Sequence, residues 1–404
     1  MEVSKNNMIT DLVSILTPCY NGARFLAAYF GSILQQTYKN YEVIFVDDGS
    51  TDETAEIAHR YGKLICEAGG GFRYLYQENS GQAAAINKGL PFVTGEFLVW
   101  PDCDDRLAPE SLEKRVEFLK HHKEYAVVAT GAQYFDERDL TTSVESKFWE
   151  EQKENLFEAV LIGKVVHFSA VYMLRTNVLF KALPMQKIIE SPVGQNWQIL
   201  LPVLYHSKCG YLNECLSYIT ICHDSHSRSI DTLQKWKKRF ISEKILIFQI
   251  LDALDMDNQE RQRLKEKFVY FCDIRWFMRQ MAAGGEKENN LEQLRNYIGE
   301  AAVEYLTYDK KLWIYGASDI GKNLGIFLEK LGYIVSGFID SDSKKVSQGT
   351  YAGKSVISFQ QYEGKDAYLL IPLRCHKSIV ESLRESHMIS DVDYVYPYYR
   401  MEKM

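Results

Sequence analysis

Short apolar runs and helix-spaced apolar positions alternate through the first hundred residues. Leu12-Val13-Ser14-Ile15-Leu16 is a β-rich run that stops at Thr17-Pro18, with a turn signal at Asn21-Gly22. Phe25, Tyr29 and Ile33 then recur every fourth residue, which predicts one face of a helix. Tyr41 to Val46 reads as a second strand, ended by Asp47-Asp48-Gly49. Ser50 with Glu53 three residues on has the spacing of a capping box and predicts the start of another helix. Phe72–Tyr76 and Glu96–Trp100 read as further strands, with a helix over Gln82–Leu90 between them. This strand–helix rhythm predicts a parallel sheet covered by helices.

From Asp231 to about Ile298 the pattern becomes helical: Trp236, Phe240, Ile247 and Ile250 share one spacing, and Phe268, Phe271, Arg275 and Met278 another. Gly284-Gly285 breaks the run, and Leu312-Trp313-Ile314-Tyr315 opens a new strand followed by Gly316–Gly321 and a helix. The expected organisation is an α/β domain over residues 1–230, a helical connector over 231–305 and a small Rossmann-like domain over 306–404.

The chain has 404 residues, enough for two or three domains with cores of their own. Its net charge of −7 disfavours a nucleic-acid partner. The acidity is local, with a net charge of −8 through Ile230 and +1 over the remainder. No apolar run reaches the length of a membrane span. Met1–Thr10 lacks an apolar signal core, and the eight cysteines are scattered, as reduced thiols of a cytoplasmic protein would be.

The acidity bears on three loops expected at the carboxyl ends of strands, the edge where open α/β sheets bind ligands. They are Thr17–Gly22, Asp47–Asp52 and Asp102-Cys103-Asp104-Asp105. Tyr20 offers a ring to stack on a base, and Asp48 an acceptor for a base N–H. The carboxylates of the third loop repel one another unless a cation sits among them. Oxygen ligands suit a hard divalent ion such as Mg²⁺ or Mn²⁺. A solvated acidic turn is the other reading of that loop alone; the matching positions of all three favour the ion.

Six motifs now stand in order: Thr17-Pro18-Cys19-Tyr20-Asn21, Gln35-Gln36-Thr37-Tyr38, Val46–Asp52, Asn79-Ser80-Gly81-Gln82, Asn87-Lys88-Gly89 and Asp102–Asp105. Together they resemble the family-2 inverting glycosyltransferases of the GT-A fold, closely over Leu12–Leu119 and more loosely to Ile230. The resemblance implies a nucleotide-diphospho-sugar donor, UDP by family frequency, and a saccharide or lipid-linked acceptor in bacterial surface polysaccharide synthesis. It implies donor contacts at Thr17, Pro18, Tyr20, Asn21, Asp48, Asn79, Gly81, Asn87 and Asp102. Asp102 and Asp104 match the DxD motif, and the second aspartate is the implied metal ligand. Turn or helix-cap service is the alternative for Asn79, Gly81 and Asn87.

One motif departs from the family. An inverting transfer needs a base for the acceptor hydroxyl, which the family takes from a Glu-Asp pair before an aromatic residue. The matching stretch here is Gly194-Gln195-Asn196-Trp197, whose amides cannot act as bases. Glu190, His167 and Asp224 are the candidate replacements; the alternative keeps Gln195 and Asn196 only to orient the acceptor, with a base from elsewhere. Ile221–Ser227 resembles a segment that closes over the diphosphate, which implies His226 as a metal or phosphate ligand, with His223 as its competitor.

Two motifs lie further on. Lys235-Trp236-Lys237-Lys238-Arg239-Phe240 has two readings, a peripheral contact with the inner face of the plasma membrane and, more commonly, a solvated basic helix face. Gly316-Ala317-Ser318-Asp319-Ile320-Gly321 is a dinucleotide fingerprint with Ser318 in place of its middle glycine, and Asp340 stands near the ribose-binding position. Gly316, Ser318, Gly321 and Asp340 are therefore a second nucleotide candidate, against a structural or homo-oligomerisation module. Three functions compete: a metal-dependent transferase, a sugar-nucleotide-binding scaffold that has lost its base, and an oxidoreductase built on the last domain. The last leaves the acidic loops unexplained.

Overall fold

Apolar runs without polar alternation need cover on both faces. In a computed structural model of the chain, which describes residues 8–149, 152–165, 168–223, 230–283, 290–298, 310–362, 367–372 and a few isolated positions to 397, the first sheet supplies that cover. Here β1 (Ile9–Cys19), β2 (Tyr41–Asp48), β3 (Gly71–Gln77) and β4 (Gly95–Val99) run parallel in the order β3-β2-β1-β4. Val43 to Val46 in β2 is buried without a break.

The sheet continues through β5 (Arg106–Leu107), β6 (Tyr125–Asp136), β7 (Asp139–Lys147), β8 (Tyr172–Arg175) and β9 (Lys208–Ile221). Antiparallel β8 joins β4 to β6, β9 runs parallel to β6, and β7 folds back on β6. Around this sheet stand α1 (Ala23–Leu34), α2 (Thr54–Glu67), α3 (Gln82–Gly89), α4 (Ser111–His121), α5 (Phe157–Leu161), α6 (Thr176–Ala182) and α7 (Gln195–Tyr205). The fully buried Arg115 of α4 ties three strands together. Its guanidinium donates to Ser217 Oγ at 2.6 Å, Thr130 Oγ1 at 3.1 Å and the Tyr172 carbonyl at 3.4 Å.

Two local expectations change. The buried face of α1 is Leu26, Tyr29, Phe30 and Ile33, so Phe25 stands at its margin, half-buried. The capping box of Ser50 and Glu53 does not form, because α2 starts one residue after Glu53 and Ser50 Oγ accepts the Asn21 N–H instead, at 2.9 Å. Asp52 takes over the start of the helix, accepting the Thr54 N–H at 3.0 Å.

The chain divides into two units, Met1–Ser229 with Ile245–Met256, and Ile230–Lys244 with Asp257–Met404. The helix α8 (Leu233–Ala253) gives its first half to the second unit and the rest to the first. The second unit also holds α9 (Asn258–Ala282) and α10 (Asn290–Ile298). Its sheet consists of β10 (Lys311–Tyr315), β11 (Ile334–Ile339), β12 (Thr350–Tyr351), β13 (Lys354–Ile357), β14 (Ala367–Leu370) and β15 (Tyr394–Val395). Their order is β12-β13-β11-β10-β14-β15, parallel except for the β12–β13 hairpin. Between strands run α11 (Asp319–Lys330) and α12 (Ser343–Gln348).

The helices of residues 257–298 do not stand apart from this sheet. Ile274 and Phe277 of α9 and Leu294 and Tyr297 of α10 share one core with Leu312, Ile314 and Leu324. The basic stretch at the start of α8 is largely wired inside the second unit: Arg239 and Arg275 both reach the buried Glu243, at 2.9 and 2.6 Å, and Arg279 lies 3.9 Å above the Trp236 ring. Lys237 and Lys238 remain exposed. Among the described residues no helix is long and apolar enough to cross a membrane.

Candidate active site

The three predicted loops meet at the carboxyl ends of β1, β2 and β4. Thr17, at the end of β1, is fully buried; its hydroxyl reaches the Pro101 carbonyl at 3.1 Å and also bonds Tyr29. Tyr20 is exposed. Asn21 latches the first loop to the second, its Oδ1 accepting the Thr51 N–H at 2.8 Å. The Gly22 and Ala23 N–H groups add Thr54 Oγ1 and Asp52 Oδ2, at 3.0 and 3.1 Å.

Asp48 is buried and answers three donors, Gln77 Nε2 at 2.7 Å and the Ser80 and Gly81 N–H groups at 2.9 Å each. Gly49 beside it has φ +77°, and a Cβ there would stand 2.5 Å from the Asn79 nitrogen. Loops 47–52 and 78–81 thus meet backbone to backbone, which only glycine permits. The amide of Asn87 is committed to the segment before α7, bonding the carbonyl and N–H of Ile188 at 2.9 Å each.

The acidic loop turns on a hydrogen bond from the Asp105 N–H to the Asp102 carbonyl. One oxygen each of Asp102, Asp104 and Asp105 falls within 4.8 Å of the others. Each carboxylate has its own tether. Asp102 accepts from Gln82 Nε2 at 2.7 Å and from Ser169 Oγ at 3.4 Å; Asp104 accepts the Cys222 thiol at 3.2 Å; Asp105 accepts the Thr220 N–H at 3.0 Å. Burial raises the pKa of all three above the ordinary carboxylate range, and the Asp104 charge adds to the rise at Asp102 and Asp105. Between two of the acids, the Cys103 thiol meets that of Cys19, and this contact followed by burial pushes it up.

Such a cluster is poised for a hard cation. Its ligands are oxygens and its charges are desolvated and unbalanced, so a divalent ion fits the donor set. Asp102 and Asp104 would hold it with Asp105 behind them. His226, read as a further ligand, and the base candidates His167 and Asp224 lie outside the described residues. His223 is turned elsewhere, with its Nε2 2.8 Å from Asp136.

The second half of the site reaches the acidic loop through Trp100, whose Nε1 donates to Asn196 Oδ1 at 3.0 Å. Asn196 stands at the start of α7, so the bond draws that helix end to the residue two before Asp102. Glu190 is exposed, beside Ile188 and Ile189, which are clamped by Asn87 and Gln198. Sequence reasoning left out Trp100, Ser169, Thr220 and Cys222. Trp100 abuts the motif; Ser169 from a short helical turn, Thr220 from β9 and Cys222 just past its end join from far along the chain.

In the second unit, Gly316 has φ +108° and Ser318 caps α11, its hydroxyl accepting the Gly321 N–H at 3.3 Å. A Cβ on Gly321 would stand 2.2 Å from the Gly316 carbonyl oxygen, so helix and strand approach closely. Asp340 spends its carboxylate locally, on the Ala317 N–H at 2.8 Å and Lys345 Nζ at 3.1 Å.

Comparison with known proteins agrees with this arrangement. The family model for glycosyl transferase family 2 matches residues 14–181. An uncharacterized glycosyltransferase of Rickettsia prowazekii is 39% identical over 135 residues, 33% of this chain and 40% of that protein. A second, from Rickettsia typhi, is 34% identical over 182 residues, 44% of this chain and 54% of its own length. The chain thus spans about half or less of these two relatives. S. aureus TarS 1-349, solved in complex with UDP-GlcNAc, superposes with a TM-score of 0.55 at 15% identity, over 79% of this chain and 88% of TarS 1-349. With the acidic loop, its partner loops and the parallel strands beneath them in the matched segment, residues 14–181 match glycosyl transferase family 2, on a GT-A fold.

Proposed function

We propose that the first unit is a divalent-metal-dependent inverting glycosyltransferase, moving a sugar from a nucleotide-diphospho-sugar to a saccharide or lipid-linked acceptor in bacterial surface polysaccharide synthesis. The observation that carries this reading is the set of three tethered carboxylates within 4.8 Å, enclosed by loops from three strand ends. UDP is the nucleotide of choice, since TarS shares the fold and was solved with UDP-GlcNAc.

Asp102 and Asp104 would hold a Mn²⁺ or Mg²⁺ ion, and the ion would supply the charge that neutralises a departing diphosphate. Tyr20, exposed at the rim, stacks on the base, while Asp48 and Asn87 shape the pocket wall from behind. The acceptor oxygen attacks the anomeric carbon as the bond to the diphosphate breaks, and its proton passes to a base. Asn196, held by Trp100, orients the acceptor; Glu190 is the candidate carboxylate for the proton. Glu190 follows two residues tied to α3 and α7, Ile188 by Asn87 and Ile189 by Gln198.

The second reading, a sugar-nucleotide-binding scaffold, is favoured by one feature, the amides Gln195 and Asn196 where the family has acids. A single series separates the two. Thermal melts with UDP, with and without Mn²⁺, are expected to show stabilisation only when both are present; indifference to every nucleotide would sink the donor site. Hydrolysis or transfer of a UDP-sugar that is abolished by Asp104→Ala favours the enzyme, and nucleotide binding without any turnover favours the scaffold.

A further inference from the structure

Each carboxylate of the acidic loop takes a hydrogen bond from one of two distant segments. Ser169, on the short helical turn Ser169–Val171, serves Asp102, while Thr220 and Cys222, in and just past β9, serve Asp105 and Asp104. Arg115 bonds to both segments. It is fully buried, and its guanidinium donates to Ser217 Oγ of β9 at 2.6 Å and to the carbonyl of Tyr172, next after the turn, at 3.4 Å. Ser217 Oγ donates in turn to the Ala170 carbonyl, inside the turn, at 2.7 Å. Thr130 Oγ1 accepts from the same guanidinium at 3.1 Å and lies 3.4 Å from the Val171 carbonyl oxygen. Arg115 therefore reaches the carbonyls of Ala170, Val171 and Tyr172, the last directly and the others through a hydroxyl. A guanidinium has donors only, so Ser217 must accept from it and spend its single proton on Ala170.

Packing alone does not account for this residue. Its Nε is buried without a hydrogen-bond partner, and among the described residues no carboxylate pairs with it. A buried cation without a counter-ion is costly, a cost that an apolar side chain would avoid. What an apolar side chain would lack is the donor that fixes the Ser217 hydroxyl.

We propose that Arg115 is a positioning residue of the acidic loop: through Ser217 it holds the Ser169 turn against β9, and so sets Ser169 on Asp102. The role rests on the three carboxylates being a metal site. Partners that hydrogen-bond to metal ligands fix the ligands' orientation, and losing one costs about ten- to a hundredfold in metal affinity. Arg115 and Ser217 touch none of the three carboxylates in the printed bonds to Asp102, Asp104 and Asp105, so their effect has to pass through Ser169.

The test is calorimetric titration of Mn²⁺ into the metal-free, full-length protein. Wild type that takes no Mn²⁺ removes the metal site itself, an outcome read before any variant is made. Ser169→Ala and Ser217→Ala are each expected to weaken Mn²⁺ binding about tenfold. Because the second acts through the first, the double variant should lose about tenfold in total, where independent effects would multiply to about a hundredfold. Folded Arg115→Met should match Ser217→Ala. A merely structural Ser217 would lower the melting temperature and leave the Mn²⁺ affinity of the folded protein unchanged. That result overturns the proposal, as do an inert Ser169→Ala, losses that multiply in the double variant, and a folded Arg115→Met with wild-type affinity. If Arg115→Met does not fold, the two serine variants and their combination decide.

Discussion

The acidic loop shows how a single residue type acquires different work from its surroundings. Asp48 ends β2 and Asp102 follows β4 in the same sheet, yet Asp48 is saturated by three neutral donors while Asp102 faces other carboxylates. On the proposed function the first is a strut and the second a metal ligand, and only the hydrogen bonds of Asp48 show that it is saturated. Asn196 raises the sharpest question at this scale, because the resemblance to family-2 transferases implies an acid at its position. Asn196→Asp is expected to raise release of nucleoside diphosphate from a UDP-sugar about a hundredfold, the lower range of general-base assistance. The Trp100 N–H remains a suitable donor to a carboxylate there. An unchanged rate would mean the proton goes elsewhere, and Glu190→Gln then locates it. Gly49 offers a purely structural counterpart: Gly49→Ala forces a side chain against the Asn79 nitrogen at positive φ, and should cost about 1–3 kcal/mol in denaturant unfolding.

Among elements, much was legible from pattern. The parallel strands and the helices between them follow from apolar runs and four-residue spacings, since those patterns are what burial on a sheet demands. Boundaries and caps were not: Ser50 and Glu53 have the letters of a capping box, but Asn21 claims the serine from a loop 29 residues away. Residues 125–221 were also opaque, because β6, β8 and β9 pair across long gaps and their register is set by partners rather than by their own sequence. The dinucleotide fingerprint was read correctly as a strand–turn–helix, while the hydrogen bonds of Asp340 became visible only in three dimensions. Charge inside elements yields a further expectation. Glu243, 1% exposed, faces Arg239 and Arg275, so Glu243→Ala leaves two cations without their partner. Breaking such a buried arrangement costs about 3–5 kcal/mol. Chemical unfolding of the full chain checks this; a loss below about 1 kcal/mol would place the network among weak surface pairs.

For the molecule as a whole, the acidic balance becomes a statement about pH. Carboxyl groups whose pKa is raised on folding hold protons more tightly in the folded state, so they favour folding at acid pH. Their contribution is lost as pH climbs from the ordinary carboxylate value, ~4, toward neutrality. A bound divalent ion reverses the cost of ionising them. The gap between melting temperatures with saturating Mn²⁺ and with chelator should therefore widen from about pH 5 to about pH 7.5. A constant gap would separate the ion from these carboxylates. Finally, the hydrogen bond between Trp100 and Asn196 has an optical consequence. The indole is 2% exposed and lies two residues from Asp102, so its emission reports on the amide that holds it. On the proposed function, a donor or acceptor that draws Asn196 away would shift the fluorescence of Trp100, and the protein would carry its own dye beside the proposed site.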